Sequence, residues 1–199
     1  MKTQLFSRIS LVLALSLLAL PTTVLSQTSS WLDQQVPMNW NRPGVSVPNA
    51  PKSDAMNMGR CQQQIRNPSN PEERAVRAAG WTLYNVRGET LSVEGVSLVQ
   101  GLTGFDGMCR PMGYQGFVFV RGVFAGTISP KSMSARGDGA LIQTNIEGAS
   151  VFNSQFARYS RQDALCCPSR TSKVNYRIDF QNGKPLLIPI KVTTYPNRS

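Results

Sequence analysis

The stretch that decides the fold runs Asp106-Gly-Met-Cys-Arg-Pro-Met-Gly-Tyr-Gln-Gly-Phe-Val-Phe-Val-Arg-Gly-Val-Phe-Ala-Gly-Thr-Ile-Ser-Pro130. Its second half predicts a β-hairpin, because β-branched and aromatic runs at 117–120 and 123–128 are separated only by Arg121 and Gly122. The Phe and Val side chains of 117–120 alternate and are apolar on both faces. We therefore expect an inner strand of a sheet that is covered on both sides.

Further strands are predicted on both sides of this hairpin. The clearest pair is 171–180 and 185–194, joined by Asn182-Gly183, the dipeptide that two-residue hairpin turns prefer. The first member alternates apolar with polar side chains, so one of its faces should be solvated. The full set of predicted strands is 81–86, 91–99, 115–120, 123–129, 141–146, 151–159, 171–180 and 185–194.

One helix is signalled before the strands. Asn70 fits the N-cap, Pro71 the first helical position, and Gly80 the stop. The helix is short, so it must be stabilised by docking on a sheet. The sequence thus predicts one disulfide-bridged α+β domain over residues 59–199, with a mainly antiparallel sheet and one short docked helix.

The first 26 residues have the pattern of a secretory signal peptide. Lys2 and Arg8 precede or flank an apolar run that is too short to span a bilayer, and small or polar residues follow Pro21. We expect cleavage near Ser26 and export to the periplasm or beyond. No cysteine stands at the predicted new N-terminus to carry a lipid, so we also expect a secreted protein without a transmembrane anchor.

Residues 27–58 are rich in proline and polar side chains and show no period of 2 or 3.6. This composition predicts a linker or a loosely docked arm. Trp31 and Trp40 argue against full disorder, because docking would cover their large apolar area. They would attach the arm either to the domain or to a partner.

Four cysteines, Cys61, Cys109, Cys166 and Cys167, predict a disulfide framework in an exported chain. We expect Cys61 and Cys109 each to bond one of the adjacent pair. Neighbouring α-carbons lie about 3.8 Å apart, whereas ordinary disulfides span about 4.4 to 6.8 Å. The sequence leaves open which of Cys166 and Cys167 bonds which partner.

Several motifs stand between residues 106 and 169. They are Asp106-Gly-Met-Cys-Arg-Pro, Tyr114-Gln-Gly-Phe-Val-Phe-Val, Phe124-Ala-Gly-Thr-Ile-Ser-Pro, Phe156-Ala-Arg-Tyr and Asp163-Ala-Leu-Cys-Cys-Pro-Ser. Together they resemble the LppP/LprE group of bacterial envelope lipoproteins, over about residues 81–178. The resemblance implies an exported cell-envelope domain of unassigned biochemical function, and it implies no catalytic residues.

The chain is basic, with a formal net charge of +10 and no histidine. Removal of Lys2 and Arg8 with the signal peptide would leave about +8, which favours anionic neighbours such as envelope polysaccharide or lipid headgroups. The basic residues are scattered, so a diffuse solubilising charge is the alternative, and we expect no specific nucleic-acid partner.

The sharpest candidate binding site consists of arginines near the cysteine turns. With Tyr114 or Tyr159 they would form an anion pocket. The alternative is that Arg110 and Arg158 pair with Asp106 and Asp163 and close the turns. The four arginines are Arg110, Arg158, Arg161 and Arg170.

The sequence predicts no enzyme and no cofactor. The absence of histidine excludes Ser-His-Asp, Cys-His and imidazole-metal chemistry, and no phosphate-binding loop occurs. Acid–base catalysis would need two of four candidate carboxylates to act as a pair, as in glycosidases. Aspartates in Gly-rich turns, however, typically cap the backbone. These carboxylates are Asp106, Asp138, Glu147 and Asp163, and the Arg136-Gly137-Asp138 triplet is likewise interpreted as a turn. The domain is therefore expected to be a binding or structural module.

One alternative from another class remains, a thiol-disulfide redox protein. In it, Cys166 and Cys167 would cycle through a strained vicinal disulfide. No Cys-X-X-Cys motif or evident helix N-terminus supports a stabilised thiolate. Mapping of the thiols separates this alternative from a structural role of the cysteines.

Overall fold

Two antiparallel sheets face each other across a shared core in the computed structural model, which describes residues 30–53, 56–84 and 91–197. A single α-helix in that part of the chain packs on the first sheet. The predicted class, α+β with mainly antiparallel sheet, is confirmed. The predicted signal peptide, residues 1–26, lies outside the described residues. None of the described helices has the length and apolar character needed to cross a bilayer.

The first sheet is formed by β1 (Thr82–Leu83), β2 (Leu91–Val93), β3 (Val96–Leu102), β6 (Gln115–Val120) and β7 (Val123–Thr127). Its order is β1-β3-β6-β7, and β2 also pairs with β3. Between β3 and β6, two short strands pair with each other, β4 (Gly104–Phe105) and β5 (Pro111–Met112). The predicted strand 81–86 is described only as far as Tyr84.

The second sheet contains the longest strands of the described chain. Its four strands are β8 (Ala140–Ile146), β9 (Val151–Arg158), β10 (Arg170–Gln181) and β11 (Lys184–Pro196), in the order β11-β10-β9-β8, and β10 and β11 are the two longest. Each pairs with its sequence neighbour, so this sheet is a meander. The predicted strands 141–146, 151–159, 171–180 and 185–194 are all present, with ends that differ by one or two residues.

Three hairpins share one kind of turn, a residue with positive φ followed by glycine. Arg121-Gly122 joins β6 to β7 and Asn182-Gly183 joins β10 to β11, as expected. Glu94-Gly95, at φ 51° and 80°, divides the predicted strand 91–99 into β2 and β3. The prediction of a single strand over 91–99 is therefore wrong. The turn is hard to predict from sequence because glutamate rarely adopts positive φ.

The core lies between the sheets and draws on both. Every residue of β6 is buried, because its Val side chains face the second sheet while Phe117 and Phe119 face the helix. From the second sheet come Phe152 and Tyr176, whose rings stack 4.7 Å apart. The expectation of an inner strand covered on both faces is confirmed.

The helix α1 (Pro71–Ala78) covers the side of the first sheet that faces away from the core. Asn70 caps it, because its side-chain oxygen accepts a hydrogen bond from the backbone N–H of Glu73 at 2.9 Å. Val76 is fully buried against a cluster that includes Trp81 and Phe117. Docking thus supplies the stability that a helix of two turns lacks by itself.

The described N-terminal segment, residues 30–53, runs along the domain and is fastened at several points. Trp31 packs edge-on against Trp40 and against Phe156 of β9. Asn41 bridges the two sheets, because its Nδ2 donates to the carbonyls of Thr127 in β7 and Leu187 in β11, each at 3.1 Å. Where the folded domain begins stays a prediction, but these contacts make the segment part of the packed structure.

Candidate functional site

The disulfides do not pair as predicted. Cys61 bonds Cys109, with α-carbons 5.5 Å apart, and Cys166 bonds Cys167. The cause is that the segment before Cys61 pairs with the turn that carries Cys109. The N–H of Phe105 donates to the Met56 carbonyl at 3.0 Å, and Asn57 Nδ2 donates to the Phe105 carbonyl at 3.0 Å. These non-local contacts bring Cys109 to Cys61 and exclude the other cysteines.

The bond between the two adjacent cysteines also corrects the prediction about them. Their α-carbons are 3.7 Å apart, below the ordinary range for disulfides, and this short distance is the reason the sequence disfavours the bond that the structure contains. The pair therefore does not anchor two separate elements. It lies in the loop between β9 and β10, residues 159–169, which we call the cysteine loop.

Arg110 is neutralised within its own turn. Its Nε lies 2.6 Å from Asp106 Oδ2, and Asp106 Oδ1 also accepts from the backbone N–H groups of Met108 and Arg110. Partial burial opposes the effect, but the hydrogen bonds from Arg110 and Met108 lower the pKa of Asp106. The alternative in which Arg110 pairs with Asp106 to close the turn is confirmed.

Arg158 is also paired, but not with Asp163. Only 7% of this residue is exposed, and its Nη2 lies 3.1 Å from Asp33 Oδ1 in the N-terminal segment. Its Nη1 donates to the Ser172 hydroxyl of β10 at 3.2 Å. The predicted pairing with Asp163 is wrong. The side chain of Arg158 points inward from β9, whereas Asp163 lies in the cysteine loop.

The two candidate tyrosines have different surroundings. Tyr114 is fully buried in the core, and its hydroxyl donates to the Gly139 carbonyl at 2.6 Å. Burial raises the pKa of Tyr114 well above its usual value. Tyr159 is half-buried, and the Arg136 guanidinium lies 4.4 Å from its ring centroid, in a cation–π arrangement. Tyr114 therefore does not line a surface pocket.

The cysteine loop is organised by Asp163 rather than by a salt bridge. The carboxylate accepts hydrogen bonds from the Ser160 hydroxyl at 2.6 Å, the Ser160 N–H at 2.7 Å and the Ser169 N–H at 2.8 Å. These bonds, those from Ser160 above all, lower the pKa of Asp163 well below its usual value. Arg136 closes the loop from outside, donating to the carbonyls of Asp163 and Ala164.

Arg161 and Arg170 remain as available cations of the predicted cluster. Both are exposed, at the two ends of the cysteine loop. Within the described part of the chain, neither lies within 4 Å of a carboxylate. The structure thus neutralises half of the predicted cluster and leaves the other half at one end of the second sheet.

A second surface adjoins these arginines, which sequence reasoning did not single out. Within the described ranges, the helix packs on the first sheet, and most side chains on the side of the second sheet that faces away from the core are exposed or half-buried. The strand register places polar side chains there in rows across the four strands. We call the solvent-accessible part of this surface the outer face; its members are Gln143, Asn145, Gln155, Lys173, Asn175, Arg177, Lys191, Thr193 and Tyr195, while Asn153 and Thr171 on the same side are buried.

Charge on the outer face is mostly positive. Lys173 and Lys191 lie diagonally across β10 and β11, and no carboxylate among the described residues lies within 4 Å of either. Arg177 pairs with Asp179 at 2.7 Å. Tyr195, 41% exposed, donates its hydroxyl proton to Gln155 Oε1 across the sheet at 3.1 Å. The polar half of the alternation in 171–180 was the sequence signal for this surface.

The remaining candidate carboxylates cap turns or bind neighbours. Asp138 Oδ2 accepts from the Ser134 N–H at 2.8 Å, so Arg136-Gly137-Asp138 is part of a closed turn. Glu147 Oε1 accepts from Asn153 Nδ2 at 2.7 Å. The prediction that the aspartates serve the backbone is confirmed for Asp106, Asp138 and Asp163. No cluster of three or more potential metal ligands occurs among the described residues.

Comparison with known proteins supports the resemblance seen in the motifs. Residues 91–181 match the model of the LppP/LprE lipoprotein family. The matched segment runs from β2 to the end of β10 and includes the β6–β7 hairpin and the cysteine loop. No curated protein and no solved structure matches the chain. The similarity supports an exported, envelope-associated protein of unassigned biochemical function.

Proposed function

We propose that this protein is a non-catalytic envelope module that binds an acidic polysaccharide through the outer face. The observation that carries the proposal is a largely exposed sheet surface on which two lysines, with no carboxylate within 4 Å in the described part of the chain, stand among amide, hydroxyl and phenol groups. Such a surface offers charge to acid groups and neutral hydrogen bonds to hydroxyls, the two kinds of group that an acidic glycan presents.

The positions of the two lysines suit an extended, repeating ligand. Lys173 is opposite Thr193, and Lys191 is opposite Asn175, so the lysines are diagonal neighbours on one face. Diagonal side chains on paired strands are about 7 to 8 Å apart at their α-carbons, within reach of one acid group each or of a shared one. Arg161 and Arg170 add exposed positive charge at the cysteine loop, beyond one end of the sheet, but Arg170 is opposite Arg158 in the register and is not part of the outer face.

The neutral groups favour a glycan over a simple polyanion. Three amide side chains are linked by hydrogen bonds. Gln143 Nε2 donates to Asn145 Oδ1 at 2.9 Å, and Gln155 Nε2 donates to Gln143 Oε1 at 3.5 Å. Amides held in this way keep donors and acceptors pointed in fixed directions. Tyr195 adds a ring that a sugar face can cover.

The proposal that the module is non-catalytic is supported by what the acidic and basic side chains do. The chain has no histidine, and Asp106, Asp138 and Asp163 are engaged by backbone N–H groups of their own turns. A general acid or base must reach a substrate proton within hydrogen-bond distance. Carboxylates whose oxygens accept hydrogen bonds from their own turns are poorly placed to exchange protons with a substrate.

Equilibrium binding to polygalacturonate tests the proposal, with neutral dextran as the uncharged control. The Lys173→Gln and Lys191→Gln double variant should bind polygalacturonate about tenfold more weakly, since two charge contacts of about 0.7 kcal/mol each are lost. Lys52→Gln removes an exposed charge close in sequence to Ala50, whose N–H donates to the Ala79 carbonyl at the end of the helix on the first sheet, and should bind like the parent.

Three outcomes would contradict the proposal. Equal loss in the Lys52→Gln control would indicate diffuse charge without a site. Tighter binding to phosphatidylglycerol vesicles than to any polysaccharide would indicate a lipid partner. Binding to dextran sulfate that Tyr195→Ala and Gln155→Ala leave unchanged would show that charge alone is recognised.

A further inference from the structure

We propose that the Cys166–Cys167 disulfide is a thiol-reactive site, which exchanges with low-molecular-weight thiols while the Cys61–Cys109 bond stays oxidised. The two bonds differ in access. Cys166 and Cys167 are both exposed, beside Leu165, whose residue surface is 51% exposed. Cys61 is fully buried and Cys109 packs against the core. An attacking thiolate must reach a sulfur atom, so access alone separates the two bonds.

The cysteine loop does not depend on its disulfide for its shape. Asp163 ties Ser160 to Ser169 across the two ends of the loop. Asn197, beyond β11, donates from its Nδ2 to the Pro168 carbonyl at 2.6 Å and from its N–H to the Ser169 carbonyl at 2.8 Å. None of these bonds involves a sulfur atom, so we expect them to remain when the sulfur–sulfur bond opens. Reduction therefore requires no unfolding of the loop.

The two bonds also constrain the unfolded chain to different extents. Cys61 and Cys109 are separated by 48 positions, whereas Cys166 and Cys167 are adjacent. In the chain-entropy account, a disulfide stabilises the fold according to the length of the loop that it closes. The vicinal bond closes almost no loop, so the fold loses little when it is reduced.

Charge around the loop favours the thiolates that form on reduction. Arg161 and Arg170 are exposed at its ends, and Arg136 lies against its outside. The loop's own carboxylate, Asp163, is held by Ser160 and Ser169. A positive environment stabilises a thiolate and attracts an anionic thiol.

The exchange balances as a two-electron reduction. A thiolate RS⁻ attacks the sulfur of one cysteine, forming a mixed disulfide and releasing the other cysteine as a thiolate. A second RS⁻ attacks the RS sulfur of the mixed disulfide, releasing RSSR and the second cysteine thiolate. The two thiolates then take up the protons of the two RSH molecules. Two thiols are oxidised and one protein disulfide is reduced.

Native-state reduction followed by alkylation and peptide mapping tests the proposal. The purified protein is treated with dithiothreitol in buffer without denaturant, and iodoacetamide traps the thiols over time. We expect labels on Cys166 and Cys167 about tenfold or more sooner than on Cys61 and Cys109. Equal labelling of all four cysteines, or labelling only after guanidinium chloride is added, would overturn the proposal.

Matched variants separate the two disulfides. The protein with Cys166→Ser and Cys167→Ser should keep the melting temperature of the parent and consume no dithiothreitol under native conditions. The protein with Cys61→Ser and Cys109→Ser should melt at a lower temperature and still consume one equivalent. A large loss of melting temperature in the first variant would show that the vicinal bond is structural. The labelling of the parent protein decides the question even when a variant does not fold.

A comparison of two thiols tests the electrostatic step. Arg161→Gln with Arg170→Gln should slow reduction by the anionic mercaptoethanesulfonate about two- to threefold and leave the neutral 2-mercaptoethanol unaffected. Lys52→Gln is the control for total charge. Equal slowing with both thiols would overturn the role given to these arginines.

Discussion

Arg158 and Asp33 join the second sheet to the N-terminal segment by an ion pair that is buried on one side only. The side chain of Arg158 is 9% exposed and that of Asp33 is 42% exposed. Loss of the aspartate leaves a mostly buried guanidinium whose remaining hydrogen-bond partner, among the described residues, is the Ser172 hydroxyl. The main cost of breaking the pair is therefore the buried charge of Arg158 that is left unpaired, rather than the lost attraction between the two side chains.

Asp33→Ala should lower the free energy of unfolding by about 1 to 3 kcal/mol, because it orphans the buried Arg158. Urea denaturation measures the change. The control is Asp179→Ala, which breaks the exposed pair with Arg177 and should cost about 0 to 1 kcal/mol. Equal effects of the two substitutions would mean that Arg158 finds another partner.

Asn41→Ala should lower the free energy of unfolding by about 2 to 4 kcal/mol, since Asn41 bonds both sheets at once. Its Oδ1 also accepts from the Thr127 N–H at 2.8 Å. Thermal and urea unfolding measure the loss. Asn145→Ala, on the exposed outer face, is the matched control and should change stability by less than about 0.5 kcal/mol.

Asp163→Asn should destabilise the cysteine loop at neutral pH and lose that effect in acid. The pKa of Asp163 is lowered by its hydrogen bonds, so the charged form stabilises the folded state above the usual aspartate value of 3.8. As pH falls below 3.8 through the lowered pKa, the parent loses this contribution and the two proteins should converge. Hydrogen exchange of the Ser160 and Ser169 amides, followed from neutral pH to well below pH 3.8, measures it. A difference that is constant with pH would contradict the charged role.

Tyr114→Phe should lower the free energy of unfolding by about 1 to 2 kcal/mol, because the Gly139 carbonyl loses a buried donor. Binding to polygalacturonate should be unchanged, since Tyr114 is fully buried. Tyr195→Phe, on the outer face, is the control. It should keep the free energy of unfolding of the parent and change the affinity for polygalacturonate. Weaker binding in the folded Tyr114→Phe protein would place the ligand elsewhere than on the outer face.

Local chemistry in the sequence was enough to predict most of the elements. Asn182-Gly183 and Arg121-Gly122 mark two of the hairpins, and Asn70 with Pro71 marks the helix start. Their signals act within a few residues and require no knowledge of the tertiary structure. Glu94-Gly95 was missed because its glutamate adopts a left-handed conformation that such residues rarely populate.

The site was predicted less well because its contacts are non-local. Cys109 is selected for Cys61 by hydrogen bonds between segments 45 to 49 residues apart, such as that of Asn57 with Phe105, which no local pattern reveals. Arg158 meets Asp33 over a separation of 125 residues. By contrast, Arg110 was paired correctly with Asp106, since both lie in one turn.

Residues 35–41 bond to strands β11 and β7, and these bonds have a practical consequence for any shortened version of the protein. The Gln35 carbonyl accepts from the Val192 N–H of β11, and Asn41 occupies the backbone groups of Thr127 at the side of β7. A fragment that begins at residue 59 would leave these strand edges unpaired. Unprotected edges recruit strands from other molecules, so such a fragment is expected to aggregate, and expression should start no later than Ser30.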